Sequence, residues 1–99
     1  MRSLRFRPLA VSDLDDIWAN TVERWSIAQA QGYLSGLNDT LRLLRDHPDI
    51  ARLHEFTPPL RIFPYRAHLV AFQADDSAVE VIRILHMRSD WQVLLSDQG

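Results

Sequence analysis

Hydrophobic positions along this chain change period twice, and the changes mark its elements. At the start, Leu4 and Phe6 alternate with Arg5 and Arg7, with Pro8 next in the same register. That alternation predicts a short strand with one buried face, and the charges and terminal proline suit a sheet edge. The period then turns helical. Read from the residues alone, Ser12 can cap a helix whose first turn holds Asp13, Asp15 and Asp16, where the helix dipole favours acids. Leu14, Ile17, Trp18, Thr21, Val22 and Trp25 follow at helical spacing and predict one core-facing stripe. Ser26-Ile27-Ala28-Gln29 has the form of a capping box, so a second helix starts at once. Inside it Ala30, Leu34, Leu37, Leu41 and Leu44 recur in the pattern an antiparallel helix pair uses along its seam, with Tyr33 beside them. His47-Pro48 ends this helix, because proline disfavours a helical residue before it.

Residues 48–60 contain Pro48, Pro58 and Pro59 and no clear period, and are read as a connecting loop. The period of two then returns: Arg61-Ile62-Phe63 with Pro64-Tyr65, then Arg66 through Ala74, a tight turn at Asp75-Asp76-Ser77, then Ala78 through His86. In the last segment Val79, Val81, Ile82, Ile84 and Leu85 make both parities apolar, as in a central strand covered on both faces. Ser89-Asp90 can cap a final short turn or helix carrying Trp91 and Leu94. The predicted order is β-α-α-β-β-β. It describes an α+β fold with a helical hairpin packed on one face of a mostly antiparallel sheet.

A chain of 99 residues makes a single domain, 1–99. It buries roughly 60–65% of its unfolded surface, so its stability is modest. With 46% hydrophobic and 24% charged residues it is globular and not disordered. It has no cysteine, which removes disulfides and thiolate metal sites. No apolar run approaches a membrane span, and Arg5 and Arg7 break the opening where a signal peptide needs a continuous apolar stretch. A cytoplasmic location is expected. The net charge of −2 argues against direct nucleic-acid binding, which draws most of its affinity from neutralising phosphates. All eleven cationic side chains are arginine, so a mechanism that needs lysine cannot operate.

Catalytic and metal patterns are sparse. Gly32, Gly36 and Gly99 form no phosphate loop, and no close-set histidine–carboxylate spacing occurs. His47 and His54 stand far from His68 and His86 along the chain. Neither a metal nor a cofactor is expected. The serines fall at caps, turns or helix surface, which leaves no nucleophile with its base. One cluster carries chemistry: Arg61, Arg66, His68, Arg83, His86 and Arg88 lie on or beside the predicted sheet. They suit an anion- or RNA-contacting surface with His86 as general acid or base. Alternatively, the arginines pair with Glu55, Glu80, Asp90 and nearby carbonyls.

Four segments add a resemblance. Leu4 through Trp18, then Trp25-Ser26-Ile27-Ala28-Gln29-Ala30, resemble the opening of ParE-type toxins of the RelE/ParE superfamily: a strand ending near a proline, an acidic helix carrying Ile-Trp, and a second helix directly after. His68-Leu69-Val70-Ala71-Phe72 resembles the family's H-x-x-x-aromatic strand. Val81 through Asp90 resembles its V-x-R-x-L-H-x-R-x-D pattern, the more specific match. Phe72 stands where the family commonly has tyrosine, and the tail after Trp91 is short.

This resemblance implies that the first helix begins one turn before Ser12. It implies the RelE/ParE fold and a ParD-type antitoxin partner, with a ribbon-helix-helix DNA-binding dimer and a segment that wraps the toxin. DNA would be met only through that partner. It implies DNA gyrase as the target, reached by protein–protein binding without catalysis. The alternatives are a RelE-like ribosome-dependent mRNA endonuclease using His86 and nearby arginines, and a non-toxic interaction module. Trp91 stands where a terminal tyrosine would serve the endonuclease. The candidate antitoxin- or target-binding residues are Trp18, Trp25, Tyr33, Arg61, Arg66, His68, Arg83, His86, Arg88, Asp90 and Trp91. Alanine at Arg83 is expected to weaken toxicity or antitoxin binding more than alanine at Arg42, on a solvated helix face. Growth arrest and pull-down of the two variants side by side check this, and equal effects count against the site.

Overall fold

The computed structural model describes residues 2–96. Its elements are β1 (Ser3–Phe6), α1 (Pro8–Arg24), α2 (Ile27–Asp46), a 3-10 turn (Pro48–Ile50), β2 (Arg52–His54), β3 (Leu60–Tyr65), β4 (His68–Ala74), β5 (Ala78–His86) and α3 (Trp91–Ser96). The strands form one sheet in the order β1-β5-β4-β3-β2. β1 runs parallel to β5, with Phe6 opposite Val81, and every other pair is antiparallel. The α+β architecture, the edge position of β1 and the central position of β5 agree with the sequence reading.

Four details differ from it. First, α1 begins at Pro8 with Arg7 as its N-cap, a full turn before the Ser12 cap read from the residues and in line with the start that the resemblance implies. Proline at the first helical position loses no hydrogen bond and has its φ already set for a helix. Asp13, Asp15 and Asp16 therefore lie past the first turn, and Asp13 finds another use. Second, of the stripe expected on α1 only Ile17 is buried, with Leu14 packed partly against the core. Trp18 is 39% exposed and Trp25, the residue that ends α1, is 73% exposed. Third, the expected loop contains the 3-10 turn and the strand β2, which adds a fifth strand by pairing Arg52–His54 with Leu60–Ile62. Three residues at a sheet edge are too few to show a period. Fourth, Leu95 and not Leu94 is the buried residue of α3. Leu95 lies one helical turn after Trp91, which packs on the same cluster.

The helix junction forms as expected: Ser26 Oγ accepts the Gln29 amide at 3.0 Å. α2 buries Ala30, Leu37, Leu41 and Leu44, with Leu34 packed against them. On the helix side of the sheet these residues meet Val70, Phe72, Val79, Val81 and Ile84. On the opposite face Leu60, Ile62, Leu69, Ala71, Ile82 and Leu85 form a second cluster with Leu95, Phe56 and Trp91. Strict alternation would send Val81 and Ile84 to opposite faces. A bulge at Ala71/Phe72, where Val81 pairs with Phe72 but Arg83 with Ala71, leaves Ile82 as the extra residue and resets the parity. That is why both parities of β5 are apolar.

β1 stops at Phe6, so the outer edge of β5 has no strand beside it after Val81. Arg7 still donates its amide to the Val81 carbonyl at 3.0 Å. Two residues beyond Val81's neighbour Ile82, the Ile84 amide is met by Asp13 of α1, whose Oδ2 accepts it at 2.9 Å. The same carboxylate takes Arg83 in a two-pronged pair, Nε to Oδ2 at 2.8 Å and Nη2 to Oδ1 at 3.0 Å. Both side chains are largely covered, at 15% and 11% exposure. Removing one partner of such a pair strands the other, at a cost of about 3–5 kcal/mol. Asp13→Ala is therefore expected to lower the unfolding free energy by about that much in urea titration. The double variant Asp13→Ala/Arg83→Met should lose less than the two single losses added together; strict additivity would mean that the two side chains act independently.

Candidate functional site

An open groove of about 700 Å³ lies between α1, the start of α2 and the ends of β4 and β5. One wall is the polar side of α1, where Asp13, Asp16, Asn20 and Arg24 follow one another at three- and four-residue steps. Trp25 and Gln29 close the helical end, Ile17 and Ile84 contribute apolar floor, and Tyr33, His68, His86 and Arg88 form the far wall.

The far wall is built by strand register. His68 opens β4 and His86 ends β5, directly opposite each other, and their rings stand edge to face with centroids 5.1 Å apart. From α2, the Tyr33 hydroxyl lies 2.6 Å from His68 Nδ1. Burial raises the Tyr33 phenol above its ordinary range, and the same hydroxyl donates to the Tyr65 carbonyl at 3.5 Å. Burial first, and then the neighbouring His86, push the His68 imidazole below its usual value, against a weaker opposing pull from Asp13. Tyr65 locks the group from behind. Its hydroxyl donates to the Tyr33 carbonyl at 2.9 Å, and Gly36 of α2 lets it approach, since a Cβ there would collide with it. On His86, Nδ1 accepts the Arg88 amide at 3.0 Å, which puts that ring's proton on Nε2.

Of the residues singled out from sequence, Trp25, Tyr33, His68, His86 and Arg88 meet in this groove. Arg83 stands behind its wall, and the Asp13 hydrogen bond raises its pKa further above an already high value. Any effect of substituting Arg83 therefore passes through the seating of α1. Arg66 sits in the β3–β4 turn with a positive φ of 50° and its guanidinium 5.7 Å from the centre of the Tyr65 ring. Trp18 is exposed on α1 outside the groove lining. Arg61 is turned to the Ala51 carbonyl at 2.8 Å. Trp91 packs on the opposite face of the sheet beside His54, and the Asp90 carbonyl accepts the Leu94 amide at the start of α3. Glu80 is paired by Arg7 at 3.0 Å and not by an arginine of the expected cluster, of which Arg83 instead pairs with Asp13. Sequence reasoning missed Asp13, Asp16, Asn20 and Arg24. From the sequence, Asp13 and Asp16 read only as first-turn acids favoured by the helix dipole.

Among the described residues no group of three or more histidines and carboxylates could hold a metal ion. Nor is any described helix long and apolar enough to cross a membrane. A helical hairpin laid on a five-stranded, mostly antiparallel sheet, with a groove where the hairpin meets the strand ends, is the architecture of the small RelE/ParE-type toxins. Residues 4–91 match the family described as the ParE toxin of the type II toxin–antitoxin system parDE. The chain belongs to this family. A protein named Toxin ParE1 from Caulobacter vibrioides is 32% identical over 87 residues, covering 87% of this chain and 90% of that one. Another Toxin ParE1, from Mycobacterium tuberculosis, is 31% identical over 85 residues, covering 84% and 87%. In fold the chain is similar to a solved structure described as a chromosomal ParDE system from P. aeruginosa, with a TM-score of 0.76 at 20% identity over 87% of this chain and 96% of that one.

The depressed His68 imidazole links stability to pH. Its folded value lies below the unfolded 6.5, so the unfolded chain binds more protons as pH falls. The contribution is complete above about pH 6.5 and is lost progressively as pH drops toward the folded value. Urea unfolding at pH 7.5 and 5.5 should show a drop in stability for the native chain and a smaller drop for His68→Gln. An unchanged drop in the variant would show that His68 does not carry the effect.

Proposed function

We propose that this chain is the toxin of a type II toxin–antitoxin pair, held inactive by a ParD-like ribbon-helix-helix antitoxin, and that it stops growth by binding DNA gyrase. The observation that carries the reading is the match of residues 4–91 to the ParE toxin family. The ParDE description of the structurally similar protein supports a ParD-like partner. A binding mode without bond-breaking chemistry is supported by how the hydroxyls are used: Ser26 caps α2, Ser77 bonds Asp75, Ser89 bonds the His86 carbonyl, and Ser96 bonds the Gln92 carbonyl. Exposed Trp18 and Trp25, with Val11 and Ile27 nearby in sequence, are surface of the kind partners cover. On this reading the protein works in the cytoplasm, where gyrase is, and meets DNA only through its antitoxin.

A second reading has one observation in its favour. His86 and Arg88 sit side by side at the mouth of the groove, an acid–base group beside a cation, as mRNA cleavage on the ribosome would use. Two assays on the purified chain separate the readings. Inhibition of gyrase supercoiling, with messages left intact on translating ribosomes, is the expected outcome. If messages are cut and His86→Ala abolishes the cutting, the gyrase reading is wrong.

A further inference from the structure

Sequence spacing offers no metal ligands, since His68 and His86 stand apart along the chain. The β4–β5 register cancels that distance by setting the two residues directly opposite each other. Side chains opposite one another in an antiparallel pair share one face, with Cβ atoms about 4.5–5.5 Å apart. The two ring centres are 5.1 Å apart and the ring planes cross at 75°. Two imidazoles on one tetrahedral zinc ion hold their nitrogens about 2.0–2.1 Å from the metal. With about 1.1 Å more from nitrogen to ring centre, their centres stand about 5 Å apart. The observed separation is the one a shared ion requires.

We propose that His68 and His86 form a two-point chelate for a divalent transition-metal ion of the zinc class, each ligating through Nε2, with water in the remaining positions. A ligand histidine commonly has its other ring nitrogen held by a hydrogen bond that fixes ring and tautomer. For His68 that support is in place. The Tyr33 hydroxyl donates to the Tyr65 carbonyl and so accepts from His68 Nδ1, 2.6 Å away, which leaves the lone pair on Nε2. His86 is exposed, and its Nδ1 accepts the Arg88 amide at 3.0 Å. Ligation moves its ring proton from Nε2 to Nδ1, and the Arg88 amide turns to water. The cost is one exposed hydrogen bond, which water replaces at little loss. No carboxylate completes the set among the described residues, and Asp13 is held by Arg83 and the Ile84 amide. The centre is therefore open and exchangeable, unlike a four-ligand structural zinc site. Imidazole pairs select zinc, copper or nickel, whereas magnesium and calcium require oxygen ligands. None of this depends on whether the chain binds gyrase.

In calorimetric titration of the full chain at pH 7.5, zinc chloride should bind at one ion per chain, and magnesium chloride should give no binding heat. His86→Ala removes an exposed ligand without opening the core, and should weaken zinc binding about tenfold or more. His68→Gln, which keeps a polar group near Tyr33, should do the same. His47→Ala, at the exposed end of α2, should leave the affinity unchanged. In proton–nitrogen spectra zinc should move the Arg88 amide, because its acceptor is withdrawn, and this shift should be missing in His86→Ala. The proposal is overturned if the native chain shows no saturable zinc binding, if one ion is shared by two chains, or if the Arg88 amide does not respond. It is equally overturned if the affinity survives His86→Ala, since the ion is then held elsewhere and the ring pair is packing alone.

Discussion

One carboxylate joins the two layers of this molecule. β5 is nine residues long and β1 only four, so the outer edge of β5 is bare past Val81, and bare backbone donors inside a protein are costly. Asp13 reaches from α1 to the Ile84 amide with one oxygen and holds Arg83 with both. A helix side chain thus occupies the ladder position a longer β1 would have filled. Pairs of this kind return little net stability once desolvation is counted. What this one contributes is position, because it sets α1 against the end of β5 and leaves the remaining polar side of the helix facing the groove.

The bulge in β5 is the companion constraint. By placing Ile82 out of alternation it lets Val81 and Ile84 both face the helices while Ile82 and Leu85 face α3 and Phe56. A sheet covered on both faces has little spare apolar surface of its own. Among the described residues, Trp18 and Trp25 of the hairpin are the large aromatic side chains left exposed. The bulge also restores register in time to bring His86 opposite His68, so the same irregularity that balances the two cores assembles the far wall of the groove.

That wall is rigid at its base and open at its mouth. Tyr33, His68 and Tyr65 tie α2 to the β3–β4 hairpin through three hydrogen bonds and edge-to-face ring contacts. His86 and Arg88, in contrast, are exposed. A preformed base with available donors at its rim suits binding, since little ordering has to be paid when a partner arrives. Membership of the ParE toxin family fits a surface of this sort.

Local patterns in the sequence determined the element order, the capped start of α2, its Leu37–Leu41–Leu44 seam, the edge strand β1 and the doubly covered β5. Each of these is written in neighbouring residues, through side-chain period and cap chemistry. The resemblance of Val81 through Asp90 to the family pattern led to the right family for the same reason. What the tertiary structure alone decided are the pairings between distant residues: Asp13 with Arg83 and Ile84, His68 with His86, and Tyr33 with His68. It also decided the outward turn of Trp18 and Trp25 and the strand at Arg52–His54. Helical spacing says that α1 has an apolar side but not how far round that side the sheet reaches. A three-residue edge strand carries no period at all. Such contacts join residues tens of positions apart, and their partners exist only once the hairpin has settled on the sheet.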